Sequence, residues 1–163
     1  MTYLSSFQSP LGSVTLASDG EALTGLWFDG QKYFLQGITG ETAQTDDEPA
    51  VLLQAKAWLA VYFSGRNPGS PPFPLRPAGT PFQRRVWAAL TNIPYGTTVT
   101  YGELAKRLGT EKKTSPRAVG NAVGRNPISV FIPCHRVIGA DGGLTGYAGG
   151  IERKRRLLKT ETS

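Results

Sequence analysis

The sequence predicts an α+β protein in two parts, a small strand-and-helix part followed by a mostly helical part. Three strand-like segments and one amphipathic helix account for the first 66 residues. A stretch dense in proline and glycine then follows, and helix-capping signals recur beyond it. Because 163 residues suffice for one ordinary domain or two small ones, we expect a structural domain over 1–66, a linker over 67–79 and a C-terminal domain over 80–163.

The first 28 residues favour β-strands. Short apolar segments predict strands at Tyr3–Phe7, Ser13–Ala17 and Leu23–Phe28. A turn at Pro10-Leu11-Gly12 separates the first two, and Asp19-Gly20 is typical of a hairpin turn between the second and third. The N-terminal part therefore contains a hairpin.

A helix is predicted to follow these strands. Asp46 or Asp47 would cap it, Pro49 would lie in its first turn, and Gly65 would end it. One face of this helix is apolar and carries Val51, Leu52, Ala55, Trp58, Leu59, Tyr62 and Phe63. Since no cluster of reactive side chains is visible before residue 67, we interpret this half as structural.

Capping signals divide the C-terminal part into helices. Thr80-Pro81-Phe82-Gln83 has the form of a capping box with proline at the first helical position, and predicts a helix to about Asn92. A second box, Thr100-Tyr101-Gly102-Glu103, predicts a short helix through Leu108. A last helix is expected over Ile151–Thr160, with basic residues crowded toward its C-terminal half.

Between these helices lies a slim one, predicted over Arg117–Val123 with Ser115 and Pro116 as its cap and first turn. Together with the preceding helix it has the layout of a helix-turn-helix. Its small residues are Ala118, Gly120, Ala122 and Gly124. Helices that read the major groove usually present long polar side chains, so this one suits the narrow minor groove better. The alternative is a small helix packed in the core.

Charge is distributed unevenly along the chain. Residues 1–79 carry four basic and seven acidic side chains, a balance of −3, whereas residues 80–163 carry fourteen basic and five acidic ones, a balance of +9. The asymmetry indicates a C-terminal half that binds a polyanion, with a merely solvated basic face as the alternative. The sequence lacks the blocks of a signal peptide and any apolar run of membrane length, so we expect a cytoplasmic protein without membrane contact.

The only cysteine and the only histidine of the chain are neighbours, Cys134 and His135. A thiol is nucleophilic as its thiolate, and an imidazole is the side chain best suited to remove its proton. The apolar flanks place the pair in a dry pocket, and Pro133 could supply the irregular backbone that a contact between neighbours needs. The alternative is a small core hydrophobe beside an ordinary polar residue. A single cysteine allows no internal disulfide, and this pair cannot build a zinc site.

Motifs throughout the C-terminal half resemble those of the O6-alkylguanine-DNA alkyltransferases, which are suicide DNA-repair proteins. In order, the motifs are Phe82-Gln83-Arg84-Arg85-Val86-Trp87, Ile93-Pro94-Tyr95-Gly96, Tyr101-Gly102-Glu103-Leu104-Ala105, Arg117-Ala118-Val119-Gly120, Asn126-Pro127, Ile132-Pro133-Cys134-His135-Arg136-Val137 and Leu144-Thr145-Gly146-Tyr147-Ala148-Gly149-Gly150. The N-terminal half matches only loosely. The resemblance implies a ribonuclease-H-like N-terminal domain and a C-terminal domain with a winged helix-turn-helix.

The resemblance also implies a reaction. Cys134 would accept an alkyl group from O6-alkylguanine, and also from O4-alkylthymine, in a flipped-out nucleotide. His135 would remove the thiol proton through a water molecule, Glu161 would orient and charge-balance the imidazole, and Asn126 would brace the active-site segment. The product is a stable thioether, so one molecule would remove one lesion without any cofactor. The zinc carried by some animal members is not expected, because this chain lacks the ligands.

Other residues would handle the guanine. Tyr101 would supply a proton to the leaving base, and Lys154 would assist electrostatically. The substrate-binding residues implied are Tyr147, Ala148, Val137 and Ser129.

DNA contacts follow from the same resemblance. Arg117 would occupy the space vacated by the flipped nucleotide, and the protein would bind double-stranded DNA through the minor groove, with little sequence preference, as a monomer in solution. The other implied DNA-binding residues are Ala118, Gly120, Asn121, Arg84, Arg85, Lys112, Lys113 and Arg125. The loop Thr110–Ser115 looks about two residues longer than in many members, and the sequence leaves open whether copies cooperate on DNA.

Two other functions compete with this interpretation. A non-catalytic lesion binder would bind alkylated DNA without forming an adduct, but it needs no thiol. A cysteine hydrolase using Cys134, His135 and Glu161 would turn over repeatedly on an acyl substrate, but it gains nothing from the basic half.

Overall fold

The computed structural model describes residues 1–109 and 115–162. Its strands are β1 (Thr2–Ser9), β2 (Gly12–Ser18), β3 (Leu23–Phe28), β4 (Thr42–Ala43), β5 (Val99–Thr100) and β6 (Val137–Ile138). Its α-helices are α1 (Ala50–Phe63), α2 (Pro81–Leu90), α3 (Tyr101–Leu108), α4 (Pro116–Gly124) and α5 (Ile151–Thr162), with a 3-10 turn at Cys134–Arg136. An N-terminal sheet part and a helical C-terminal part confirm the predicted α+β class.

A four-stranded sheet forms the N-terminal part, in the order β3-β2-β1-β4. The first three strands are antiparallel neighbours, as the turn signals predict, and β4 pairs parallel to β1. Gly12 has a φ of 115°, which only glycine adopts readily, and it closes the turn between β1 and β2. Buried side chains of β2 and β3, including Leu16 and Leu26, face the apolar side of α1.

The start of α1 differs from the prediction. Pro49 occupies the N-cap position, and no side chain there accepts a hydrogen bond, so the expected cap by Asp46 or Asp47 is wrong. The acidic residue that is engaged is Glu48, whose carboxylate accepts hydrogen bonds from Lys56 at 2.9 Å and from the Ser5 hydroxyl. Pro49 has its φ fixed by its ring and holds the N-cap position, so the helix begins at Ala50, beyond Asp46 and Asp47.

Helix ends in the C-terminal part lie within two residues of their predicted positions. The capping box at Thr80 and Gln83 is complete, with both reciprocal hydrogen bonds, although α2 ends at Leu90, two residues early. Ser115 caps α4 by accepting from the Ala118 amide. At the other end of the chain, α5 continues two residues past Thr160.

The two halves share one hydrophobic core. In β3, the Leu26 amide donates to the Pro127 carbonyl at 2.9 Å, and the Leu26 carbonyl accepts from Ser129 at 3.2 Å. The segment 67–79 also pairs with β3, because Leu23 donates to the Pro74 carbonyl and accepts from Arg76. The chain that leads into the Cys134 turn is therefore held against the N-terminal sheet.

Candidate active site and DNA-facing groove

Cys134 begins a 3-10 turn that follows Pro133, and only 5% of the residue is exposed. Its amide donates to the Ile132 carbonyl at 2.8 Å. The Asn126 side chain donates to the same carbonyl at 2.8 Å and accepts from the Ile128 amide at 3.0 Å. Asn126 thus ties the residues before the cysteine into a fixed loop behind the thiol.

His135 is fully buried beside the thiol-bearing residue, and its ring meets a buried carboxylate. The His135 Nε2 atom lies 2.5 Å from Oε2 of Glu161. Because an ionised carboxylate can only accept, Nε2 must carry the hydrogen, and Nδ1 is then the basic nitrogen. Nδ1 is buried and has no hydrogen-bond partner among the described residues, so it is free to accept a proton.

Glu161 is surrounded by donors. Arg136 donates to both of its oxygens, from Nε at 2.8 Å and from a terminal nitrogen at 3.1 Å. The Gly96 amide donates to Oε1 at 3.0 Å, and the Tyr62 hydroxyl donates to Oε2 at 2.6 Å. Although burial raises the pKa of this carboxyl, the hydrogen bonds and positive charges around it outweigh burial and hold its pKa well below the usual range.

Arg136 and Tyr62 contact Glu161 although no sequence motif predicts a role for either residue. Arg136 lies inside the motif Ile132-Pro133-Cys134-His135-Arg136-Val137, and the presence of a charged residue in this largely apolar stretch was the one available signal of a buried ion pair. Tyr62 is separated from Glu161 by 99 positions and lies in the half interpreted as structural, so no local pattern pointed to it. Each of them reaches the same carboxylate from a different element.

Burial dominates the electrostatics of the thiol and raises the pKa of Cys134 to about 11. The Asn126 side chain and the positive charge of Lys154 oppose that shift. Burial lowers the pKa of His135, which keeps the ring neutral and able to act as a base at neutral pH. The thiol is therefore protonated at rest, and its activation requires proton removal inside the pocket.

Lys154 and Tyr101 converge on one carbonyl. The Lys154 ammonium donates to the Thr145 carbonyl at 2.8 Å, and the Tyr101 hydroxyl donates to the same oxygen at 3.1 Å. Burial lowers the pKa of Lys154, whereas a nearby Cys134 thiolate would raise it. These two donors are thus held together on the loop that precedes Tyr147.

The residues assigned to the substrate pocket lie close to this loop. Tyr147 and Ser129 are buried, and the Tyr147 hydroxyl has no hydrogen-bond partner among the described residues. Val137 pairs with Val99 between β6 and β5 and is fully buried. Ala148 is half-buried, and its carbonyl accepts from the Lys32 amide at 3.4 Å.

A groove of about 890 Å³ runs past the Tyr147 loop and along α4. Among its lining residues are Ala118, Gly120, Asn121, Arg125 and Ala148. The small side chains of α4 leave the groove open, while α4 is anchored from behind by the Trp87 indole, which donates to the Ala122 carbonyl at 2.8 Å.

Basic residues assigned to DNA are placed differently from one another. Arg117 is exposed at the start of α4, and Arg84 is exposed on α2. Arg85 donates to the Leu108 carbonyl at 2.9 Å. This hydrogen bond gives a partner to a carbonyl at the C-terminal end of α3, where the helix itself provides none. The Arg125 guanidinium lies 4.0 Å from the ring centroid of Tyr33. Lys112 and Lys113 lie outside the described residues.

Within residues 1–109 and 115–162, no helix has both the length and the apolarity needed to cross a membrane. The same part of the chain holds no group of three or more histidine, cysteine or acidic side chains arranged to bind a metal ion.

These features define a class of protein: one with a single buried cysteine, followed by a buried histidine that pairs with a buried glutamate, beside an open groove on a basic helical part of the chain. Comparison with known proteins narrows the class. The family model described as 6-O-methylguanine DNA methyltransferase, DNA binding domain, matches residues 81–163. The model described as 6-O-methylguanine DNA methyltransferase, ribonuclease-like domain, matches residues 2–77.

Individual relatives are similar in sequence to this chain along almost its whole length. A methylated-DNA–protein-cysteine methyltransferase of Mycobacterium tuberculosis is 46% identical over 164 residues, covering 100% of this chain and 94% of its own. One of Haemophilus influenzae is 42% identical over 159 residues, covering 98% and 86%. The crystal structure of Mycobacterium tuberculosis OGT in complex with DNA matches with a TM-score of 0.86 at 42% identity, covering 98% of this chain and 92% of that one. The chain belongs to the 6-O-methylguanine DNA methyltransferase family, which confirms the resemblance inferred from its motifs.

Proposed function

We propose that this protein repairs DNA directly by moving an alkyl group from O6-alkylguanine, and also from O4-alkylthymine, to the sulfur of Cys134. The observation that carries the proposal is the free Nδ1 of His135, whose other ring nitrogen donates to the ionised Glu161. That arrangement leaves a buried base with no hydrogen-bond partner among the described residues, on the residue that follows the only thiol of the chain. The family membership of the chain supports the same chemistry.

The reaction follows from these contacts. The Cys134 proton passes to His135 Nδ1 through a water molecule, and the thiolate displaces the base from the alkyl carbon. The carbon–sulfur bond forms as the carbon–oxygen bond breaks, and the electron pair of that bond remains on the guanine oxygen. Tyr101 donates a proton to the departing base, while Lys154 stabilises the negative charge that develops beside it. The thioether has no leaving group that water can displace, so each molecule reacts once.

Substrate access requires a flipped nucleotide, because the stack hides the guanine oxygen. The open groove along α4 is where we place the DNA, with its minor groove against the small side chains and Arg117 in the vacated space. Tyr147 and Ala148 would then hold the everted base through the backbone of their loop. Val137 and Ser129 complete the inner wall of this pocket.

Intact-mass measurement tests the reaction. After incubation with a duplex containing O6-methylguanine, the protein should gain the mass of one methylene group and no more, with the modification located on Cys134. Unmethylated duplex is the control. Binding without a mass change, or removal of many lesions by one molecule, would contradict the proposal.

We expect DNA affinity to depend strongly on salt. If several arginines and lysines neutralise phosphates, affinity should fall by about 100-fold or more between roughly 50 and 200 mM salt. Arg84→Ala should reduce the slope of log affinity against log salt by about one, whereas Arg76→Ala, in the acidic half, should leave it unchanged. Fluorescence anisotropy with two unrelated duplex sequences would measure both the slope and the weak sequence preference. A salt-insensitive affinity would exclude this mode of binding.

A further inference from the structure

We propose that Tyr62, on α1 of the N-terminal half, is a positioning residue that sets the basicity of His135 through Glu161. The inference rests on the proposed function of Cys134, but its central measurement does not require alkyl transfer. The Tyr62 side chain is fully buried, its hydroxyl donates to Glu161 Oε2 at 2.6 Å, and the same hydroxyl lies 3.4 Å from His135 Nε2.

Tyr62 and His135 share one acceptor atom. Oε2 of Glu161 accepts from the Tyr62 hydroxyl, from His135 Nε2 and from an Arg136 nitrogen. Each carboxylate oxygen offers about two lone-pair directions, so three donors compete for the electron density of this oxygen. The hydrogen bond from Tyr62 to Oε2 therefore weakens the hydrogen bond that His135 Nε2 donates to the same oxygen.

The competition has a definite sign. Burial and the charge of Glu161 raise the pKa of Tyr62 far above its ordinary value, so its hydroxyl remains a donor wherever the protein is folded. Without that donor, Oε2 becomes a stronger acceptor and stabilises the imidazolium form of His135. Tyr62 thus helps to keep the imidazole neutral, and a neutral imidazole is what a base for Cys134 must be.

Other charged and titratable groups face this network from every element packed around it. They are Tyr95 from the loop after α2, Arg136 and Cys134 from the 3-10 turn, Tyr147 from the loop before α5, and Lys154 from α5. All of these groups belong to the C-terminal half of the chain. Among the described residues that donate a hydrogen bond to Glu161, Tyr62 is the one that comes from the N-terminal, sheet-bearing half.

The test is a titration of His135 in the untagged full-length protein. Since the chain has one histidine, its ring nitrogen and carbon signals in NMR spectra are unambiguous. In Tyr62→Phe, we expect the imidazolium to form at a pH higher by about 0.5 to 1 unit than in the wild type. In single-turnover assays, the acid limb of the rate–pH profile should move by the same amount, slowing transfer about 3- to 10-fold below its midpoint.

Tyr95→Phe is the matched control. It removes a hydroxyl from the same aromatic cluster, since the Tyr95 ring packs edge-on against Tyr62, but that hydroxyl points to the Thr160 carbonyl at 3.5 Å. Its His135 titration should superimpose on the wild type. Equal shifts in the two variants would reduce Tyr62 to a structural role and overturn the proposal.

A second measurement needs no variant. In the wild type, the Tyr62 hydroxyl proton should exchange slowly with solvent and show a nuclear Overhauser effect to the hydrogen on His135 Nε2. Absence of that contact would refute the geometry even if Tyr62→Phe failed to fold. A wild type that transfers no alkyl group while His135 still shifts in Tyr62→Phe would refute the proposed function and leave this inference standing.

Discussion

Cys134→Ala should form no adduct with methylated DNA at any protein excess, because the variant lacks the only thiol in the chain. Lys154 is a nucleophile in principle, but its nitrogen is held on the Thr145 carbonyl at 2.8 Å. Intact mass and release of radiolabelled methyl from DNA would both measure the loss. Transfer to a different residue would contradict the assignment of Cys134 as acceptor.

The fold and the DNA affinity of Cys134→Ala should change little. The substitution removes one buried sulfur, which costs about 1 kcal/mol and lowers the melting temperature by about 3 °C. The groove along α4 is not touched, so the anisotropy curve with methylated duplex should overlay that of the wild type. A variant that neither folds nor binds would make the loss of transfer uninformative, and Cys134→Ser would then replace it.

Glu161→Gln should produce the largest loss of stability. The carboxylate neutralises the buried Arg136 and holds His135, and its replacement leaves a buried guanidinium without a counter-charge. Removing one partner of a buried ion pair costs about 3–5 kcal/mol. We therefore expect the melting temperature to fall by roughly 10 °C, with alkyl transfer slowed because the imidazole loses its orienting acceptor.

The stability of the folded protein should decrease as the solution becomes acidic, because of Glu161. The pKa of Glu161 is lower in the folded protein than its ordinary value of 4.5. The contribution of Glu161 to the free energy of unfolding is therefore fully present when the pH is above that ordinary value. It is lost as the pH falls through the pKa that Glu161 has in the folded protein. Chemical unfolding of the wild type between neutral and acid pH should show this loss, and Glu161→Gln should show a flatter dependence.

Glu152→Gln is the control for this prediction. Glu152 lies on the same helix, but its side chain is exposed and forms an ion pair with Arg155 in the first turns of α5. We expect melting temperature and transfer rate close to those of the wild type. A comparable loss in both variants would assign the effect to the helix and not to the buried network.

Local signals predicted the elements better than the site. The complete capping box at Thr80 and Gln83, the Ser115 cap and the hairpin at Asp19-Gly20 depend on neighbouring residues, and the structure contains all three. The predicted cap of α1 was wrong because Pro49, and not Asp46 or Asp47, occupies the N-cap position. A proline in the first turn was visible in the sequence, but its competition with an acidic cap was not.

The site itself depends on contacts between distant residues. Cys134 and His135 attract attention as the single members of their residue types, whereas Glu161 and Asn126 were predicted only through the family resemblance. Tyr62, Gly96 and Glu161 meet only after the chain has folded, at separations of 65 to 99 positions. The roles of the assigned site residues, and the division of the chain at 67–79, remain predictions for the experiments above.

The pairing of Leu26 in β3 with the segment from Pro127 to Ser129 has a consequence for how the molecule can be taken apart. The two family models meet near residue 80. The hydrophobic core nevertheless continues across that border, because one cluster of buried side chains includes residues from both sides of it. A fragment beginning there would lose the surface against which its reactive loop is moulded, and with it the shape of the pocket. Because the two matched segments share one buried core, we expect them to unfold together in a single transition.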